Sequence, residues 1–172
     1  MRLPTFLSTV VCSLLIAVAA PAFAEDALVP LFVIERTVNS NVVHYDAKLK
    51  NGKLDPQQPV VAYWVMGGDG RHQELNFLEK LKAYGFSIHP DKQPEAFRMF
   101  LVSDKKKEIR VLRVGDAVRA EAKIGSCEAY LQKIIIASKK SWLVSLPEYA
   151  EMVGNDMSTG AECRERVTPA DR

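Results

Sequence analysis

The densest run of chemically capable side chains lies between Glu35 and Asp46. Glu35, Arg36, Asn39, Asn41, His44, Tyr45 and Asp46 supply two carboxylates, a guanidinium, two amides, an imidazole and a phenol. Such groups could hold a polar ligand, with Arg36 pairing an anion and the Asn amides fixing its orientation. Gathered in one cleft with a shifted-pKa acid or base, they could instead serve a hydrolase. An ordinary structural role also accounts for them: Asn39 and Asn41 suit a turn, and Glu35 and Arg36 can pair with neighbours. Tyr63 and Trp64 form a second candidate, because aromatics inside a barrel can stack on a ligand, although buried aromatics more often belong to the core.

Other chemistries find less support. His44, His72, His89 and Asp46 are ligand types that zinc accepts, yet they are scattered, without a His-x-x-x-His spacing or a Cys cluster. No metal site and no cofactor is assigned. Gly67-Gly68-Asp69-Gly70 lacks the Lys-Ser/Thr of a phosphate loop. Neither a Gly-x-Ser-x-Gly elbow nor a Cys–His signature is present. Lys105-Lys106-Lys107 and Lys139-Lys140 read as charged hairpin tips that protect sheet edges. Without interleaved aromatics they do not suggest nucleic acid.

The elements that must position these groups are mostly strands. Leu31 to Arg36 and Val42 to Leu49 form a hairpin across the polar turn Thr37 to Asn41, with Val43, Tyr45, Ala47 and Leu49 on one face and His44, Asp46 and Lys48 on the other. Val60 to Met66 is an apolar strand buried on both faces. Asp69 could cap a helix beginning near Arg71. Its apolar stripe would run through Leu75, Phe77, Leu78, Leu81 and Tyr84 for about three turns, and Gly85 would end it. Further strands are expected at Phe86 to His89, Phe97 to Val102, Ile109 to Val114, Val118 to Ile124, Glu128 to Ala137, Trp142 to Met152 and Ala161 to Val167. Asp104 to Lys107 and Ser138 to Ser141 read as turns, the alternation slips near Leu112 as at a bulge, and Pro147 marks an edge, bulge or bend. The expected fold is mainly β: an antiparallel β-barrel or β-sandwich of about eight or nine strands, with one short α-helix inserted after the third.

Composition bounds the partners. The 172 residues are 48% hydrophobic and 26% charged, with a formal net charge of +2. That balance excludes a strongly basic nucleic-acid binder and an acidic disordered tail. Met1 to Ala24 reads as an export signal: Arg2 at the start, an apolar run from Val10 to Ala20, then Ala22-Phe23-Ala24 before Glu25-Asp26. Residues 25–172 then form one domain, exported to the periplasm or secreted, with no transmembrane segment after signal removal. Cys12 lies within the signal, leaving Cys127 and Cys163 as an even pair. In an oxidising compartment that pair reads as a structural disulfide, with two free thiols or a redox-active pair as the alternatives.

Several runs carry a likeness. Leu31-Phe32-Val33-Ile34-Glu35-Arg36-Thr37-Val38-Asn39-Ser40-Asn41, Val43-His44-Tyr45-Asp46, Gly52-Lys53-Leu54-Asp55, and Pro59-Val60 before Tyr63-Trp64 stand together. They continue through Glu74-Leu75, Leu78-Glu79 and Ala83-Tyr84-Gly85, and return at Thr159-Gly160 and Glu165-Arg166-Val167-Thr168-Pro169. This pattern resembles an uncharacterised exported bacterial family, domain of unknown function 4833. The resemblance implies a single exported domain. It implies no activity, cofactor or catalytic residue, and Cys127 and Cys163 lie outside its pattern.

The function expected on these grounds is a non-enzymatic binding or accessory module of the cell envelope, whose partner is a small molecule or an envelope component. The alternative is an envelope hydrolase, or another enzyme, built on the first hairpin. Oligomeric state is not legible.

Overall fold

The structure, a computed structural model, describes residues 27–140 and 145–168. The export signal expected at residues 1–24 lies outside them.

Period-two alternation sets the first hairpin. β1 (Ala27–Arg36) pairs antiparallel with β2 (Val42–Lys50), Val33 opposite His44 and Ile34 opposite Val43, with a register shift between Pro30 and Phe32. Phe32, Ile34, Val43, Tyr45 and Ala47 face inward and are buried. Asn39 Oδ1 accepts from the Asn41 N–H at 3.2 Å, and Asn41 Oδ1 accepts from the Gly67 N–H at 3.1 Å, so both amides shape loops.

The remaining elements are β3 (Lys53–Leu54), β4 (Val60–Val65), β5 (His72–Glu74), α1 (Phe77–Lys82), β6 (Phe86–Pro90), β7 (Ala96–Leu101), β8 (Asp104–Val114), β9 (Ala117–Ile124), β10 (Cys127–Lys140), β11 (Ser145–Asp156) and β12 (Glu162–Val167). They form one sheet in the order β5-β4-β2-β1-β10-β9-β8-β7-β6, with β11 and β12 continuing from β10 and β3 attached to β2. β1 and β10 pair in parallel, Val33 opposite Lys133; the other recorded pairings are antiparallel. The sheet curls into a half-barrel around one core, which runs from Phe32, Tyr45 and Trp64 through Met99, Val111 and Leu131.

The expectation of a mainly β fold with one short helix holds, while its details need correction. The described residues form twelve strands rather than eight or nine. β3 and β5 span two and three residues, too short to show a period. The helix is six residues long rather than three turns, and none of its residues is buried. Its start is set by Asn76, not Asp69: Asn76 Oδ1 accepts from the Glu79 N–H at 2.9 Å, and Glu79 Oε2 accepts from the Asn76 N–H at 2.8 Å. Asp69 Oδ1 instead accepts from the Arg71 N–H, closing a local turn, and His72 to Glu74 extend the sheet. The expected stripe therefore splits. Leu75 and Tyr84, flanking the helix, are buried, while Phe77, Leu78 and Leu81 are exposed.

The lysine runs also shift. Lys105, Lys106 and Lys107 lie in β8 after a turn at 102–103, and Lys107 pairs with Glu165 of β12. Lys139 and Lys140 end β10 rather than sit in a turn. The β8–β9 register runs unbroken past Leu112, and the apparent slip arises because Val111 and Leu112 are both buried, on opposite faces. Pro147 does mark a bulge, opposite Ser138 where the β10–β11 register shifts.

Cys127 and Cys163 form a disulfide tying the start of β10 to β12 across a separation of 36 residues. Loop-closure entropy places its contribution at about 3–4 kcal/mol. Reduced and alkylated protein is expected to lose about that much stability in urea denaturation relative to the oxidised form; equal midpoints would show that the bridge does not hold the fold.

Candidate functional site

Tyr45 anchors the interior. Its ring stacks on Phe32 with centroids 4.6 Å apart and meets Phe86 edge-on at 6.1 Å. Its hydroxyl donates to the Tyr84 carbonyl at 2.6 Å, which ties the first hairpin to the chain entering β6. Burial, with the neighbouring Tyr84 adding to it, holds the Tyr45 phenol far above the usual tyrosine range. Trp64 meets the Tyr84 ring edge-on at 5.0 Å. Burial raises the Tyr84 phenol too, against the opposing pull of the Arg36 guanidinium beside it.

Where the two ends of the sheet approach, the half-barrel stays open. β5 covers β4 from Tyr63 to Val65 and leaves Val60 to Ala62 without a strand partner on that side. A cavity of about 560 Å³ opens there, between Val60, Val61 and Ala62 on one wall and Tyr84, Gly85 and Phe86 on the other. Leu28 and Leu75 add apolar surface, while Gln58, Tyr63, Glu74 and Lys80 add polar groups. Gly85 is required here, because a Cβ would collide with the Lys80 carbonyl. We call this opening the seam.

A second cluster occupies the outer face. His44, Tyr63 and His72 form a row across β2, β4 and β5, with centroids 5.7 Å apart for His44–Tyr63 and 4.7 Å for Tyr63–His72. The Tyr63 hydroxyl donates to Asp46 Oδ2 at 2.5 Å. Asp46 is 3% exposed, and its Oδ1 has no hydrogen-bond partner. Desolvation first, then the Asp46 carboxylate, push the Tyr63 phenol up to about 12.

The candidates read from the sequence thus divide. Arg36, Tyr45 and Trp64 belong to the inner face, and Tyr45 and Trp64 are core. Glu35, His44, Asp46 and Tyr63 share the outer face, where Glu35 takes an ion pair from Lys133 at 3.1 Å. Asn39 and Asn41 stay at the turn. Of the whole set only Tyr63 lines the seam; His44 borders a smaller cavity of about 300 Å³ with Arg119 and Tyr130. His89 lies elsewhere, against Phe100. Among the described residues one group combines metal-ligand types at close range, Cys127, Asp156 and Cys163, and its two sulfurs are bonded to each other.

Sequence reasoning missed the seam wall itself. Val60 to Ala62 read as ordinary buried strand, and Leu75 and Tyr84 as helix face. A usable signal existed in the mismatch between the long apolar run Val60 to Met66 and the short polar segment His72 to Glu74 that folds back on it.

The tyrosines make stability sensitive to alkali. An unfolded phenol ionises near 10, whereas folded Tyr63 keeps its proton up to about 12. Its contribution is complete below pH 10 and is lost as pH rises through 12. The urea midpoint should therefore decline across that window. Tyr63→Phe should decline less steeply, and at neutral pH it should be less stable by about 1–3 kcal/mol, because Asp46 loses its donor.

No curated protein and no solved structure matches the chain. The family profile described as domain of unknown function (DUF4833) matches residues 32–166, spanning both walls of the seam and the outer-face cluster, and the chain belongs to that family.

Proposed function

We propose that this domain is an exported, non-enzymatic binding module of the cell envelope, and that its ligand site is the seam. The observation that carries the reading is the cavity of about 560 Å³, whose size falls within the ~300–1,000 Å³ of small-ligand pockets. Its lining combines apolar side chains with a few polar groups, as such pockets do. Export draws support from the pattern Met1 to Ala24 and from the disulfide, which suits an oxidising compartment. A hydrolase on the first hairpin would need its acid, base and anion-binding groups in one cleft. Arg36 and Tyr45 lie on one face of the sheet, with Glu35, His44 and Asp46 on the other, and this favours binding.

Anilinonaphthalene sulfonate, an apolar fluorescent probe, tests the site. Wild-type protein should bind it saturably. Ala62→Trp, which fills the seam, should weaken binding by about tenfold or more, a loss of ~1.4 kcal/mol. His44→Ala, on the outer face, should leave it unchanged. A wild type that does not bind, or an Ala62→Trp variant that binds equally well, would contradict the seam as the ligand site. Export is checked separately by intact mass: protein recovered from outside the cytoplasm should begin at Glu25, and a chain retaining Met1 would refute cleavage.

A further inference from the structure

Strand geometry leaves unpaired backbone on both sides of the seam. In an antiparallel ladder the N–H and C=O of one residue point the same way, and successive residues alternate. The Lys48 N–H donates to the Pro59 carbonyl, and the Met66 N–H to the Arg71 carbonyl. Odd-numbered residues of β4 therefore address β2, and Val60, Ala62 and Trp64 address the β5 side. β5 begins only opposite Tyr63, so the Ala62 N–H and the backbone groups of Val60 face the open cavity. The opposite wall follows the same logic. The Val102 N–H donates to the Gly85 carbonyl, and the Asp91 N–H to the Ala96 carbonyl, so Ser87 and His89 address β7. Phe86 and Ile88 then present their backbone groups to the free edge of β6, which ends the sheet on that side.

The free edges of this sheet are not alike. β12 reads Glu-Cys-Arg-Glu-Arg-Val, a charged sequence that discourages strand pairing. The open stretch of β4 is Val60-Val61-Ala62, without a charge to discourage it. A hydrocarbon ligand would fill the volume and leave the donors and acceptors of both walls unsatisfied. An extended polypeptide satisfies them and fills the volume as well.

We propose that the seam is a strand-addition site, which takes an extended segment of a partner protein between β4 and β6. Seam binding is a premise here, since a peptide strand is one class of ligand for that same cavity. Inward side chains of the added strand meet Val60, Leu75, Tyr84 and Phe86, so alternate positions are apolar and the rest polar. Charge at the rim sets a further requirement. Glu74 and Lys80 both line the cavity, and neither has an ion-pair partner among the described residues. The incoming strand carries a base near Glu74 and an acid near Lys80. Once seated, it converts the half-barrel into a closed barrel.

The test is a selection from a displayed library of random nine-residue segments against the folded, disulfide-bonded protein. Binders should alternate apolar and polar residues and should protect the amides of Val60, Ala62, Phe86 and Ile88 from hydrogen exchange. Ala62→Pro removes one seam-facing N–H without touching the β2–β4 ladder, a change an edge strand tolerates. It should weaken the selected peptides by about tenfold, as expected for one lost hydrogen bond with its desolvated acceptor. Should Ala62→Pro fail to fold, selected peptides N-methylated at alternate positions replace it and should lose binding likewise. Probe binding without any selected peptide, or peptides indifferent to both changes, would overturn strand addition and leave the seam as a small-molecule site. Loss of probe and peptide binding in the wild type would overturn both readings.

Discussion

The hydrogen bond from the Tyr45 hydroxyl to the Tyr84 carbonyl, 2.6 Å long and buried, joins the two ends of a sheet that never closes on itself. β2 and β4 lie near one end of the strand order, and β6 terminates the other. Hydrogen bonding between strands carries the chain from one end to the other only by the long way round, through β1, β10, β9, β8 and β7. Across the gap the work falls to side chains: the Tyr45 hydroxyl, the Tyr45–Phe86 contact and the Trp64–Tyr84 contact. These aromatics fix the separation of the two ends without filling it. An ordered core and an open cavity therefore coexist next to each other.

That arrangement separates two kinds of polar chemistry. Inside, the phenols of Tyr45 and Tyr84 are held protonated by burial, and Tyr45 serves as a structural donor. Outside, the short Tyr63–Asp46 bond shields a nearly buried carboxylate, and the rings of His44 and His72 flank Tyr63. The seam lies between these two sets, and takes Tyr84 from the first and Tyr63 from the second into its lining. Its surface is strand backbone, apolar side chain and two charges of opposite sign. On the reading proposed above, such a surface recognises shape and hydrogen-bond direction.

Much of the fold was legible because alternation survives wherever one sheet face is buried. The hairpin of β1 and β2 and the alternating β9 follow from period-two patterning, while β4 was read from its apolar run as buried on both faces, yet of its residues only Val60 and Trp64 are buried; the cysteine pair follows from the even count left once residues 1–24 are read as an export signal. The helix misled for a physical reason. Leu75, Leu78, Leu81 and Tyr84 have helical spacing, yet Leu75 and Tyr84 are buried by the seam on either side of a single capped helical stretch whose own leucines face outward. Periodicity reports where apolar residues recur, not which of them find a partner. The seam was missed, because it is made by backbone left unpaired when β5 stops short, and its one trace in the sequence is the mismatch between the long apolar run Val60 to Met66 and the short polar His72 to Glu74. The chemically richest residues, from Glu35 to Asp46, stand out in sequence and are then divided between two faces by the pleat that positions them.

An open seam requires that its two walls be free edges held apart, and residue-resolved amide hydrogen exchange of the unliganded protein reads this directly. Val60, Ala62, Phe86 and Ile88 should exchange rapidly, while their neighbours Val61, Tyr63, Ser87 and His89, bonded into the ladders, should be protected. Equal protection of both sets would mean that the edges are already paired, and would contradict an open seam.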